Sequence, residues 1–104
     1  MQVFVIDPAT QRIDAVDIDD GLDGVRRLVG YDSVDADEID ANGNRLYFDE
    51  SCFIRQVPGA GRFKLGSLAP VAGRGVVVGS DAATGALRAP QVTLEALAQR
   101  VRYL

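Results

Sequence analysis

The sequence has no histidine, no tryptophan and only one cysteine, Cys52. The absence of histidine excludes a Ser-His-Asp triad and a histidine-ligated metal site, because imidazole is the usual general base and a common metal ligand. A lone cysteine cannot form an internal disulfide, and this fits a reducing cytoplasm. Since no histidine can activate the thiol, we interpret Cys52 as a partly buried structural residue.

Long hydrophobic runs and a strong charge of either sign are also lacking. The first twelve residues contain no basic segment and no long apolar stretch, so they predict a strand and a turn and not a signal peptide. The longest late apolar run, 76–78, is far too short to cross a bilayer. A net charge of −4 argues against a phosphate-binding surface over the whole protein, although a local basic patch stays open. We therefore expect a cytoplasmic protein without membrane association.

The residues that are present describe one globular domain spanning 1–104. The hydrophobic fraction of 47% and the charged fraction of 25% lie close to the average of folded domains. A chain of this length buries roughly two-thirds of the surface that its unfolded form exposes. It therefore needs no metal or disulfide for stability, and we expect no cofactor.

Short apolar runs separated by turn residues predict an α+β fold, with a mostly antiparallel sheet of about five to seven short strands and two short helices. Helices are expected to begin at Asp19-Asp20 and at Thr93, with Gly30 ending the first. Asn42-Gly43 predicts a hairpin. The segment 52–54 is expected to pack a short helical turn or loop onto the core. The predicted strands are 3–6, 13–18, 34–40, 45–49, 63–68 and 76–78, with 101–104 as a further edge strand.

Two patterns suggest ligand-binding motifs but lack the order or spacing of residues that these motifs require. Gly73-Arg74-Gly75 precedes a strand, whereas a dinucleotide-binding loop follows a strand and opens a helix. An EF-hand register counted from Asp17 or Asp40 places leucine, arginine or serine where glycine and glutamate are required. We predict turn geometry for the glycines and a solvated helix cap for the acidic cluster 17–23. Weak binding of a divalent cation stays open, but no metal site is predicted.

The basic residues cluster more than the net charge suggests. Four of the eleven lie within 51–75, close to two phenylalanines. Interleaved cations and aromatics can bind single-stranded nucleic acid. A strand whose polar face protects a sheet edge explains the same pattern, and we favour it. The candidate patch for an interaction or for nucleic acid consists of Arg55, Arg62, Lys64, Arg74 and Phe53.

Several segments follow one another along the chain: Asn42-Gly43, LYFDE at 46–50, PVAGRGVVVGSD at 70–81, VTLEAL at 92–97 and VRYL at 101–104. Together with the opening strand and turn, this order resembles a family of short proteins from bacteria, phages and plasmids that is classed as a domain of unknown function. The segment 51–54 departs from the Gly-Leu-Leu-like piece expected there. The resemblance implies an accessory role, in a mobile-element context, and carries over no functional residues.

No assembled catalytic motif is present, so we predict no enzymatic activity and no catalytic residues. The leading hypothesis is a small non-catalytic interaction or accessory protein with a protein partner. The first alternative is nucleic-acid or nucleotide binding through the basic segment 55–74, and the second is a carboxylate-dependent enzyme. A monomer and a homodimer both stay open, the homodimer requiring a bare sheet edge at 101–104 or 34–39.

Overall fold

The computed structural model describes residues 1–55 and 57–104, and its secondary structure confirms the α+β prediction. The strands are β1 (Gln2–Asp7), β2 (Arg12–Asp17), β3 (Val34–Glu38), β4 (Asn44–Asp49), β5 (Arg62–Leu65), β6 (Val71–Ala72), β7 (Gly75–Ser80), β8 (Leu87–Arg88) and β9 (Val101–Tyr103). The helices are α1 (Leu22–Val29), α2 (Cys52–Arg55) and α3 (Leu94–Arg100). None of these helices has the length and apolar character needed to cross a bilayer.

Strand β7 lies at the centre of the larger sheet, whose order is β2-β1-β7-β4-β3, with β8 also paired to β7. Every pairing within it is antiparallel. Apolar runs in β1 and β7 place both of their faces in the interior, as expected for strands covered on two sides. A second sheet, of order β6-β5-β9, is smaller and also antiparallel. The continuous register between β1 and β2 shows an edge strand without a bulge.

The two faces of the larger sheet carry two separate cores. On one face, Val25 and Val29 of α1 pack against alternating valines of β1 and β7. On the other face, Phe63 and Leu65 of the smaller sheet, with Leu97 of α3, pack against the remaining apolar side chains of β1, β4 and β7. The molecule therefore has three layers, with the larger sheet in the middle.

The hairpin predicted at Asn42-Gly43 is confirmed, since β3 and β4 pair across it. Its turn is longer than a two-residue loop, and of the two residues only Gly43 has a positive φ, 86°. The amide of Ile39 donates to the carbonyl of Asn44 at 2.9 Å and closes the loop. The tip lies against β7, because the carbonyl of Gly43 accepts from the amide of Ser80 at 2.8 Å.

Thr93 caps α3 as predicted, since its hydroxyl accepts from the amide of Ala96 at 3.1 Å. Gly30 ends α1 in the left-handed conformation, also as predicted. The prediction that Asp19-Asp20 caps α1 is wrong. Gly21 holds the cap position with a φ of 57° and offers no side chain, while the Asp20 carboxylate is bound to Arg27. The hydrogen bond from Arg27 lowers the pKa of Asp20.

The strands named as candidate bare edges, β3 and β9, lie at the ends of their sheets. On β3, Asp35 and Glu38 are exposed and Asp37 is half-buried. Charges along an edge disfavour the addition of another strand. On β9, Arg102 is exposed and lies opposite Lys64 of β5. Both edges are therefore charged.

Candidate functional site

Helix α2 is a single turn held by polar contacts at the end of β4. The carboxylate of Asp49, 3% exposed, accepts from the amide of Ser51 at 3.1 Å and from Nε of Arg55 at 2.6 Å. The carbonyl of Ser51 in turn accepts from the amides of Ile54 and Arg55 at 3.0 Å. The hydrogen bond to Asp49 raises the pKa of the Arg55 guanidinium, so this side chain stays charged.

The expectation that residues 52–54 pack onto the core is wrong. Cys52 is partly buried, but Phe53 is 49% exposed and Ile54 is 82% exposed. A one-turn helix presents only one side to the protein, and here the Asp49–Arg55 ion pair occupies that side. The apolar side chains of α2 are consequently left at the surface.

Beside α2 lies an open cleft of about 870 Å³, which we call the arginine cleft. It is bordered by the end of α1, by α2, by the loop that leads into β5 and by the turn between β6 and β7. Its volume falls within the range of about 300–1,000 Å³ that is common for ligand sites. The side chains that define it are Asp7, Tyr31, Asp49, Phe53, Arg55, Val57, Arg62, Arg74 and Leu104.

The fold brings together four of the five residues of the predicted patch. Phe53, Arg55, Arg62 and Arg74 all line the arginine cleft, although they come from α2, β5 and the turn before β7. Lys64 does not line it. It lies two residues farther along β5, opposite Arg102 of β9. The patch is thus a cleft with a cationic wall and not a continuous basic strand.

The three arginines of the cleft differ in how far their charge is balanced. Arg55 is bound to Asp49 and its guanidinium carbon lies 3.8 Å from the ring centre of Tyr31. Nε of Arg74 lies 3.9 Å from a carboxylate oxygen of Asp7, a long and partly exposed contact. Arg62 lies over the ring of Phe53, 5.6 Å from its centre. Within residues 1–55 and 57–104, Arg62 forms no ion pair.

Sequence reasoning missed Tyr31 and Asp49, which organise the cleft. Tyr31 follows α1 and is 24 positions away from Arg55, so only the tertiary fold brings them together. Asp49 is a charged residue at the end of β4, yet it is buried. An aspartate that ends a strand favours an Asx turn, in which its carboxylate accepts from the amide two residues on, and this signal could have marked it.

A second depression, of about 790 Å³, lies at the hairpin between β3 and β4 and we call it the hairpin pocket. Beneath it Asn44 is fully buried, donates to Asp40 at 2.9 Å and accepts from the amide of Gln91 at 2.7 Å. Burial raises the pKa of Asp40, but hydrogen bonds from Asn44 and Asn42 and the charge of Arg100 outweigh it and leave this pKa lowered. Nε of Arg45 is buried with no hydrogen-bond partner among the described residues. Most polar groups here hold the hairpin to its neighbours.

In the part of the chain that the structure describes, no three cysteine or acidic side chains come close enough to form a metal site.

Comparison of the chain with protein-family models, with curated proteins and with solved structures gave no match. The resemblance to a family of bacterial, phage and plasmid proteins therefore stays a prediction. The arginine cleft is the candidate site on its geometry alone.

Proposed function

We propose that this protein is a small, non-catalytic cytoplasmic interaction protein that binds a protein partner through the arginine cleft. The observation that carries the proposal is the group of exposed apolar side chains at and beside the cleft. Phe53 is 49% exposed, Val57 49% and Leu104 62%, and all three line it. Ile54, on the same helical turn as Phe53, is 82% exposed.

These side chains contribute little to the fold, because they stay in contact with water. A large apolar side chain stabilises a protein by about 1.5–3 kcal/mol when it is fully buried, and this gain is not realised here. An apolar group beside aromatic and arginine side chains is typical of the energetic centre of protein interfaces. Binding of a partner would bury these side chains.

The test is a pull-down from extract of the native host with tagged wild-type protein, with and without nuclease, read by quantitative mass spectrometry. We expect a near-stoichiometric protein that survives nuclease and is lost when Phe53→Ser and Ile54→Ser are combined. Gln99→Ser, at an exposed position of α3 outside the cleft, is the matched control and should retain the partner. Equal retention by both variants, or no protein partner in wild-type eluates, would contradict the proposal.

Nucleotide or nucleic-acid binding is the second candidate, favoured by the two arginine–aromatic stacks in the cleft. Bases stack on aromatic rings, and arginine binds phosphate. The charge balance limits this alternative, because Asp7 and Asp49 neutralise much of the cationic wall. Such binding would weaken steeply with salt. A mobility-shift titration with single- and double-stranded probes at low salt tests it, and no shift would remove it.

A further inference from the structure

We infer that the arginine cleft recognises a short acidic–apolar segment of the partner protein, with one aspartate or glutamate carboxylate bound by Arg62. This inference rests on the proposed function and adds the chemistry of the bound segment. It follows from three properties of the cleft: its charge, the donors of Arg62, and its apolar lining and size.

The charge of the cleft favours a ligand with a single negative charge. Three arginines and two aspartates line it, so its side chains carry one net positive charge, whereas the side chains of the whole protein sum to −4. The remaining surface is therefore more acidic than the total and repels an extended polyanion. A segment with one carboxylate gains the local attraction without placing further negative charges against that surface.

Arg62 is the arginine whose donors are most available. Asp49 occupies two nitrogens of Arg55, and Asp7 is the near neighbour of Arg74. The guanidinium carbon of Arg62 lies 5.6 Å from the centre of the Phe53 ring. Among residues 1–55 and 57–104, the side-chain hydrogen bonds donated by arginine come from other arginines, and Arg62 donates none. Its N–H groups form the planar fork that binds a carboxylate through two hydrogen bonds.

The apolar surface around Arg62 identifies what accompanies the carboxylate. Phe53, Val57 and Leu104 line the same cleft and are each about half exposed or more. The volume of about 870 Å³ suits a few side chains of a short segment more than the face of a folded domain. An apolar residue next to the acidic one would cover these three side chains and exclude water from the ion pair, which strengthens it.

The experiment is a selection of random peptides displayed on phage against the intact wild-type chain, followed by calorimetry with the best synthetic peptide. We expect aspartate or glutamate beside an apolar residue in the enriched sequences. Replacing the acid by its amide should weaken binding about tenfold. Arg62→Gln should weaken binding of the parent peptide by a similar factor and make the protein indifferent to the amide replacement.

Arg102→Gln is the matched control, since Arg102 is an exposed arginine of the smaller sheet that does not line the cleft, and it should bind as the wild type does. The inference is overturned if no sequence is enriched, if the enriched peptides lack acids, or if Arg62→Gln binds them unchanged. Two further results would overturn it: Arg62-dependent binding of a mononucleotide without binding of acidic peptides, or occupation of the cleft by a second copy, detected by sedimentation equilibrium. Apolar peptides that still require Phe53 would leave the proposed function standing, because the pull-down tests that function separately.

Discussion

Strand β7 and helix α2 show two opposite uses of apolar residues in one small protein. Strand β7 buries all six of its residues, while α2 has four residues and none is buried. Three consecutive valines of β7 supply both cores, whereas Phe53 and Ile54 of α2 face the solvent. The two cores are therefore complete without Phe53 and Ile54, and these side chains are available for binding.

The largest effect is expected when the same charge is placed in both elements, which tests the difference in burial between β7 and α2. Val77 is fully buried between Phe4 and Leu46, so Val77→Asp would bury an unpaired carboxylate and cost about 3–5 kcal/mol or prevent folding. Ile54→Asp should change the unfolding free energy by less than about 0.5 kcal/mol. Urea unfolding followed by circular dichroism measures both. Similar losses in the two variants would show that α2 belongs to the folding core.

A smaller effect is expected at the ion pair that positions α2. Asp49→Asn leaves Arg55 without its carboxylate and should lower the unfolding free energy by about 1–3 kcal/mol, because Asp49 is buried. Hydrogen exchange at the amides of Ile54 and Arg55 should accelerate. The matched control is Asp20→Asn, which breaks the exposed pair with Arg27 and should leave unfolding unchanged. Equal behaviour of the two variants would contradict the anchoring role of Asp49.

The smallest effect is expected in the pH dependence of the unfolding free energy, at a carboxylate close to β7. Asp40 binds Asn44, which is paired with Gly79 of β7, and the pKa of Asp40 is lowered in the folded protein. Its contribution to stability is therefore present above the unfolded-state pKa of about 3.9 and is lost as the pH falls through the lower folded-state pKa. Asp40→Asn should flatten the dependence of unfolding free energy on pH in that acidic window. An unchanged slope would show that ionised Asp40 does not stabilise the fold.

Much of this fold follows from local sequence patterns. The apolar runs of β1 and β7, the cap at Thr93 and the glycine at position 30 each act through neighbouring residues, and each was predicted correctly. The strands β6 and β8 were not predicted, because two residues are too few to show an alternating or continuous apolar pattern. The prediction that Asp19-Asp20 caps α1 was wrong because Asp20 binds Arg27, seven residues along the chain.

The candidate site was only partly predictable. Clustering of basic residues pointed to Arg55, Arg62 and Arg74, and the fold gathers them in one cleft. The outward direction of Phe53 and Ile54 was not predictable from hydrophobicity, which favours burial. It depends on the ion pair between the buried Asp49 of β4 and the exposed Arg55 of α2, and such a pair appears only once the tertiary fold is known.

The most direct test of the central claim is photo-cross-linking from α2 in the native host. A photoreactive phenylalanine analogue placed at position 54, where the side chain is 82% exposed, should cross-link a single protein. The same analogue at position 99, exposed on α3 outside the cleft, should not. A protein cross-linked at 54 and absent at 99 is the result that the account predicts. Cross-links at 99 alone, or to nucleic acid at 54, would contradict it.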